Sequence, residues 1–211
     1  MKSKLFTAAL AALMLSSCTP KENGYFDNLP QEANPIEIGN KITNRFLEQG
    51  HSQYGSPLRV NEPRTQITYP DVCTWLGGLW FAQETDNKEL TERLKARFEP
   101  LFTNEAYLQP KPNHVDNNVF GAVPLELYLQ TGEERYKTLG MMYADSQWEL
   151  PANWKLKEGE ERQSSMYGDF KDADICQPEQ KEWADKGYSW QTRFWLDDMY
   201  MITTIQAQAY R

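Results

Sequence analysis

The amino-acid sequence predicts an all-α fold, and two observations carry that prediction. Successive segments place apolar residues at i, i+3, i+4 and i+7, the spacing of one face of an α-helix, and no strand-like alternation occurs over any length. The sequence also repeats: WFAQETDNKEL at 80–90 and ELYLQTGEERY at 126–136 place Thr85 and Thr131 at the same point of a helix, turn, helix unit, 46 residues apart. Helical hairpins that repeat in this way build α-solenoids or closed α/α barrels.

The first unit contains three expected helices. The helix at 35–49 carries apolar residues on one side and stops at Gly50, and residues 50–69 form a loop. The helix at 70–84 opens on Pro70, and the helix at 88–102 follows a tight turn. Their apolar positions are Ile38, Ile42, Phe46 and Leu47, then Val72, Trp75, Leu76, Leu79 and Trp80, then Leu90, Leu94, Phe98 and Leu101.

The second unit follows a Pro-containing loop at 104–115 and supplies helices at 116–130 and 133–148. Pro124 lies within the first of these and is expected to kink it. Residues 149–188 are long, polar and without periodicity, which is typical of a functional or disordered loop. A sixth helix, 194–211, resembles the end of a third repeated unit.

The N-terminus, MKSKLFTAALAALMLSSC, reads as a signal peptide, with a short basic start and an apolar stretch too short to span a membrane. The ending LSSC resembles a bacterial lipobox, so we expect Cys18 to be lipidated. The expected organisation is a signal peptide at 1–17, a lipidated Cys and tether at 18–34, and one domain at 35–211. The expected location is the cell envelope, lipid-anchored on the periplasmic side or the cell surface. An uncleaved anchor or an ordinary secretory signal is the alternative.

The charge and the potential ligand residues exclude several classes of function. The net charge is −8, and removal of the signal with its two lysines brings it to −10, which argues against nucleic acid and anionic lipid surfaces as partners. Cys73 and Cys176 are expected to be free thiols. The only histidines are His51 and His114, and no Cys/His spacing suggests zinc, so a metal-dependent mechanism is not expected.

Acids stand at the start of each unit, at Asp71, at Asp116, and at Asp197 or Asp198. Helix capping is one interpretation of each acid, and it fits Asp71 well. Asp116 lies in the dense polar cluster HVDNNVFG, which indicates a ligand pocket. Adjacent helical residues point about 100° apart, so Asp197 and Asp198 do not face one pocket in the same way. Two acids from different units could form the general acid/base arrangement of glycosidic cleavage, although two capped helices would give the same periodicity.

Three segments together resemble a known family. YPDVCTWLGGLWFAQET, HVDNNVFGAVPLELYLQTG and SWQTRFWLDDMYMITTIQAQAYR are similar to successive helical units of the unsaturated glycuronyl and rhamnogalacturonyl hydrolases, glycoside hydrolase families 88 and 105. The resemblance covers about residues 35–211 and implies an (α/α)6 barrel. It also implies oligosaccharide substrates left by polysaccharide lyases, which end in a 4,5-unsaturated uronic acid. In that chemistry a carboxylic acid protonates the vinyl ether double bond, water adds to the adjacent carbon, and the hemiketal collapses to release the sugar, without metal or organic cofactor.

The resemblance also assigns residues. Asp197 takes the proton-transfer role, or Asp198 if the register is off by one, and Asp116 supports the sugar and the water. The candidate substrate-binding residues are His114, Asn118, Gln191, Arg193 and Trp195.

The barrel of this family needs twelve helices, and the sequence predicts six, so about half of the hairpins are expected in this chain. The uncovered apolar faces then form a large patch that is expected either to bind something, such as the missing C-terminal half of the barrel, or to aggregate. Three alternatives stay open: another (α/α)6 sugar enzyme, such as an inverting glycosidase or an epimerase-like protein; a non-catalytic carbohydrate-binding or scaffolding lipoprotein, or an inactive fragment; and a helical-repeat lipoprotein whose acids are only caps.

Overall fold

A computed structural model describes residues 29–51, 65–150, 155–156, 175–176, 178–191 and 195–211. The expected signal peptide, the lipidation site Cys18 and the candidate residue Arg193 lie outside these ranges. The chain divides into two compact units, Met1–Ile38 and Gly39–Arg211. In the first, the described residues form the 3-10 helix Gln31–Ala33 and the start of an α-helix.

The fold of the described residues is all-α, as the periodicity predicts. The α-helices are α1 (Pro35–Glu48), α2 (Tyr69–Glu84), α3 (Lys88–Phe98), α4 (Val115–Asn118), α5 (Ala122–Thr131), α6 (Glu134–Asp145), α7 (Pro178–Asp185) and α8 (Leu196–Tyr210). Further 3-10 helices are Glu99–Phe102, Ala106–Leu108 and Val119–Gly121. A two-residue parallel pairing joins β1 (Lys155–Leu156) to β2 (Ile175–Cys176) and is too short to form a layer. None of the described helices has the length and apolarity that a membrane crossing requires.

Helix α5 is central to the packing of the second unit. It lies against α2, α6 and α8, while α3 packs on α2. The core between these helices consists of fully buried apolar side chains, among them Trp75, Leu79, Leu94, Phe120 and Ile205. Aromatic rings meet edge to face within it, as at Trp75 and Phe98, whose centroids are 5.3 Å apart.

The repeat predicted at Thr85 and Thr131 is present in three dimensions. Each threonine ends its helix, and each hydroxyl donates a 2.7 Å hydrogen bond to the carbonyl four residues earlier, on Phe81 and on Leu127. Both hydroxyls therefore fold back onto the last turn of their helix, and the Phe81 carbonyl accepts the backbone N–H of Thr85 as well, at 3.1 Å. The two hairpins α2–α3 and α5–α6 are therefore equivalent units.

Three details of the predicted elements are corrected. Pro124 does not kink a helix at 116–130; the backbone runs through α4 and the 3-10 turn Val119–Gly121 before α5, so Pro124 lies in the first turn of α5, where no intrahelical N–H is required. The predicted loop at 149–188 contains α7, which its polar sequence does not reveal. On α1, Ile38 and Ile42 are exposed, and the side chains that are buried are Thr43 and Phe46.

Candidate functional site

The two adjacent aspartates separate at the start of α8. Both lie in its first turn, and Asp197 is exposed whereas Asp198 is only 2% exposed. Successive helical residues point about 100° apart, so the Asp198 side chain is directed toward the protein and the Asp197 side chain toward solvent. The two adjacent acids are therefore in different environments, with Asp198 enclosed by the protein and Asp197 open to solvent.

Asp198 lines a pocket of about 490 Å³. Aromatic side chains form much of its wall: Trp148, Trp183, Tyr188 and Trp195. Three of these rings keep a large part of their surface accessible, with Tyr188 at 61%, Trp148 at 47% and Trp195 at 44% exposure. The volume falls within the range of roughly 300–1,000 Å³ that is usual for small-molecule sites. A buried carboxylate among accessible aromatic rings can hold a ligand that has both polar groups and an apolar face.

His114 and Asp116 lie at the start of α4, which packs against α8. Nδ1 of His114 accepts the backbone N–H of Asp116 at 3.2 Å, so the histidine is the N-cap. The same Nδ1 is 3.6 Å from Oδ2 of Asp116. A ring nitrogen that accepts a hydrogen bond carries no proton, so we interpret the pair as a cap beside a carboxylate and not as an ion pair. The Asp116 side chain is 32% exposed and can reach a ligand.

The asparagines of this cluster hold the structure together. The Asn118 side chain is fully buried, and its amide nitrogen donates to the Tyr143 carbonyl at 2.8 Å and to Oγ of Ser146 at 2.6 Å. Asn117 accepts from the amide of Gln66 at 2.9 Å. These two Asn118 bonds join α4 to the end of α6.

Gln191, in the segment before α8, contacts the loop before α4. Its amide donates to the Pro112 carbonyl at 3.4 Å, in the loop before α4, and the neighbouring Trp190 donates to the Ser146 carbonyl at 2.7 Å. The Tyr143 hydroxyl fixes the same loop by donating to the Pro110 carbonyl at 2.5 Å. Burial holds the pKa of Tyr143 well above its ordinary value, so this donor stays protonated. These hydrogen bonds therefore connect the loop before α4, residues 190–191 and the end of α6.

Of the predicted site residues, the structure places Trp195 and Asp198 in the described pocket wall. His114 and Asp116 lie at the neighbouring helix start, Gln191 bridges to the loop that precedes it, and Asp197 faces solvent. Asp71 caps α2 as the sequence predicts, from the third helical position of a capping box: Oδ2 accepts the backbone N–H of the N-cap residue Thr68 at 2.9 Å. In the described ranges, no three or more His, Cys, Asp or Glu side chains are grouped so as to hold a metal ion.

Sequence reasoning missed the aromatic wall. Trp183 and Tyr188 lie in the stretch interpreted as an aperiodic loop, and Trp148 lies at a helix end. The sequence did contain one signal for Trp183 and Tyr188, because a Gly followed by an aromatic residue after a short polar segment is typical of a helix C-terminus.

A buried acid was also missed. Glu126 is fully buried on α5, and its carboxylate accepts Nε1–H of Trp80 at 3.0 Å, the Gln130 amide at 2.9 Å and the Gln208 amide at 2.8 Å. The guanidinium of Arg211 also donates to it at 2.9 Å. We call this group the Glu126 cluster. It joins α2, α5 and α8, and Trp80 and Glu126 are equivalent positions of the two repeated units. The signal was a charged residue in the otherwise apolar run AVPLELYL.

A tyrosine and a cysteine connect α8 to α2 near the same end as Asp198. The Tyr200 hydroxyl is hydrogen-bonded with Cys73, which is an exposed free thiol as expected. Burial is the main cause that raises the pKa of Tyr200 to about 12, and the Cys73 contact adds to it. Tyr200 is therefore neutral at physiological pH and serves as a hydrogen-bonding group.

A scan against protein-family models, a search of curated proteins and a search of solved structures each found no match to this chain.

Proposed function

We propose that this chain carries the acid site of a glycoside hydrolase that acts on oligosaccharides ending in a 4,5-unsaturated uronic acid. The observation that carries the proposal is Asp198, a carboxyl group almost fully buried in the wall of an aromatic pocket. The motifs around Asp116 and Asp198 add the resemblance to glycoside hydrolase families 88 and 105. Because no family model matches, the proposal rests on these residues and their placement.

Asp198 takes the proton-transfer role in this proposal, in place of Asp197. Asp198 lines the pocket, whereas Asp197 is exposed and does not belong to the described pocket wall. In this role the Asp198 carboxyl group delivers a proton to C4 of the vinyl ether, and C5 becomes an oxocarbenium centre. Water forms the new bond to C5 and gives up a proton that restores the carboxylic acid. The hemiketal opens to a ketone, and the anomeric carbon then releases the leaving sugar, so that one water is consumed.

Asp116 supports the sugar and the attacking water. Its partly exposed carboxylate lies in the first turn of α4, which packs on α8, the helix that carries Asp198. His114, whose Nδ1 accepts the backbone N–H of Asp116, lies beside this carboxylate. Trp195 supplies a ring beside the acid, and an apolar sugar face can stack on such a ring.

The proposed architecture is an (α/α)6 barrel in which α2, α5 and α8 are inner helices and α3 and α6 are outer helices. The adjacent packing of α2, α5 and α8 supports it. Further helices of such a barrel would pack on α8, where Leu196, Met199 and Tyr210 are exposed at 91%, 59% and 93%. Lipidation at Cys18 would anchor the enzyme at the cell envelope.

The test is hydration of the double bond. Lyase-generated disaccharides lose their ultraviolet absorbance when the 4,5 bond is consumed, and Asp198→Asn should lower that rate by roughly 10²- to 10⁴-fold because an amide cannot supply the proton. Asp197→Asn is the matched control and should retain most of the rate. Circular dichroism is used to check that both variants are folded. Unchanged absorbance with wild-type protein across several lyase products refutes the hydrolase, and an equal loss in both variants refutes the assignment to Asp198.

A non-catalytic carbohydrate-binding protein is the second candidate, and the accessible rings of the pocket favour it equally. Binding of the same disaccharides without loss of absorbance would identify it.

A further inference from the structure

One wall of the pocket is built by the end of α7. Gly187 has a φ of 81°, in the left-handed region, and its N–H donates to the Ala184 carbonyl at 2.9 Å. The N–H of Tyr188 donates to the Trp183 carbonyl, also at 2.9 Å. These two bonds are those of a Schellman motif, in which the residue after the left-handed glycine returns beside the residue five positions earlier.

The motif therefore determines which side chains form this wall. The two residues that it brings back to the same end of the helix are Trp183 and Tyr188, and both line the pocket. A Schellman end commonly pairs two apolar side chains at these positions to bury them. Tyr188, however, keeps 61% of its surface accessible, so this pairing does not bury the tyrosine ring.

Asp198 and Trp195, both at the start of α8, also line the pocket. We call the part of the pocket around Asp198 its acid end, where the proposed proton transfer takes place; the end of α7 supplies two further aromatic rings from a different segment of the chain. Hydroxyl-bearing side chains, Ser189 and Thr203, also line it. Aromatic faces together with scattered polar groups suit a sugar ring, which has an apolar C–H face and a rim of hydroxyls.

We propose that Trp183 and Tyr188 form a stacking platform for the leaving-side sugar, the ring next to the uronyl ring that Asp198 protonates. This inference rests on the proposed function for the identity of the reacting ring. It assigns substrate length and leaving-group preference to the end of α7. A ligand with one ring occupies the acid end alone, and a ligand with two rings also covers the platform.

The experiment measures binding, so that its outcome is independent of catalysis. The probes are a saturated uronate disaccharide, in which the 4,5 double bond has been reduced, and the methyl glycoside of the same uronate. Calorimetry on the full chain gives both affinities. Tyr188→Ala and Trp183→Ala should weaken disaccharide binding by roughly 2- to 12-fold each, the usual worth of an aromatic contact, and leave methyl glycoside binding unchanged. Tyr107→Ala is the control, because Tyr107 is 69% exposed and does not belong to the described pocket wall.

A second pair of variants tests the backbone motif without removing a ring. Gly187 and Gly132 have φ values of 81° and 75°, and an added Cβ meets nothing within 4 Å at either position. Alanine therefore imposes a similar strain at both, through the backbone alone. Gly187→Ala should reduce disaccharide affinity, and Gly132→Ala, at the end of α5, should not.

Three results would overturn the platform. The first is wild-type disaccharide affinity in both ring variants, and the second is an equal loss of affinity for the two probes, which would place the rings at the uronyl subsite. The third is a wild-type protein that binds neither probe. If disaccharide binding depends on the rings but no double bond is consumed, the platform stands and the hydrolase fails.

Discussion

Replacing Glu126 by glutamine tests whether the Glu126 cluster holds the three helices together. Oε2 accepts from Trp80, Gln208 and Arg211, and Oε1 accepts from Gln130. The glutamine keeps the shape and one oxygen, but its NH₂ group must face at least one of these donors. If it faces Gln130, that side chain cannot simply turn over, because its amide nitrogen also donates to the Leu79 carbonyl at 3.1 Å.

The cost can be estimated from these contacts. Loss of one buried hydrogen bond, with its donor left without an acceptor, costs about 1–3 kcal/mol. The ion pair with Arg211 adds less than about 1 kcal/mol, because the arginine is 45% exposed and screened by water. Glu126→Gln should therefore destabilise the fold by about 2–3 kcal/mol. Glu126→Ala should cost about 3–5 kcal/mol, since it removes every acceptor and leaves a cavity.

Urea unfolding followed by circular dichroism measures the effect. With a slope of about 2 kcal/mol per M, Glu126→Gln should lower the midpoint by about 1 M. Glu92→Gln on α3 is the matched control, because the Glu92 side chain is 67% exposed and 3.8 Å from Lys95, and its effect should stay within about 0.5 kcal/mol. If the two glutamine variants unfold at the same urea concentration, the cluster does not stabilise the packing of α2, α5 and α8.

Two further predictions concern the core. Burial lowers the pKa of His51 despite its 2.5 Å contact with Glu105, with Arg97 lowering it further and Asp71 opposing. The unfolded chain then binds more protons than the folded one, so the contribution of His51 to wild-type stability should be complete above about pH 6.5 and fall as the pH drops below it. In urea titrations across this pH range, the stability of His51→Gln should fall less than that of the wild type. An equal fall in both proteins would contradict the reasoning. Gly121→Ala should cost about 1–3 kcal/mol, because its Cβ would lie 2.6 Å from atoms of two core side chains, and Gly77→Ala, with nothing within 4 Å, should be neutral or stabilising by calorimetric melting.

The sequence predicted the helices of the repeated units well because their apolar spacing coincides with the core. On α3, the predicted positions Leu90, Leu94 and Phe98 are all buried. Where a helix has few apolar neighbours, the same pattern misleads, as at Ile42 on α1, which is 55% exposed. Helix α7 has a polar sequence, so no periodicity marked it, and its clearest local signal is the left-handed Gly187 two residues after its end.

The candidate site was predicted in part. Helical geometry requires Asp197 and Asp198 to diverge, but only the position of the core decides which is buried. The aromatic wall gathers rings from Trp148, Trp183 and Trp195, which belong to different segments, and helical spacing carries no information about such contacts. The partners of Glu126 are similarly remote in sequence, and an isolated acid in an apolar helix does not reveal them.

The Glu126 cluster also bears on the order in which the chain assembles. The partners of Glu126 on the other two helices are separated from it by 46 residues at Trp80, 82 at Gln208 and 85 at Arg211. Contacts this distant form slowly, whereas each helical hairpin closes locally. We expect α2–α3 and α5–α6 to form first, with the Glu126 carboxylate still hydrated, and α8 to dock last. We expect the docking of α8 to expel that water. The same last step of folding then buries the Glu126 carboxylate and brings Asp198 into the pocket wall.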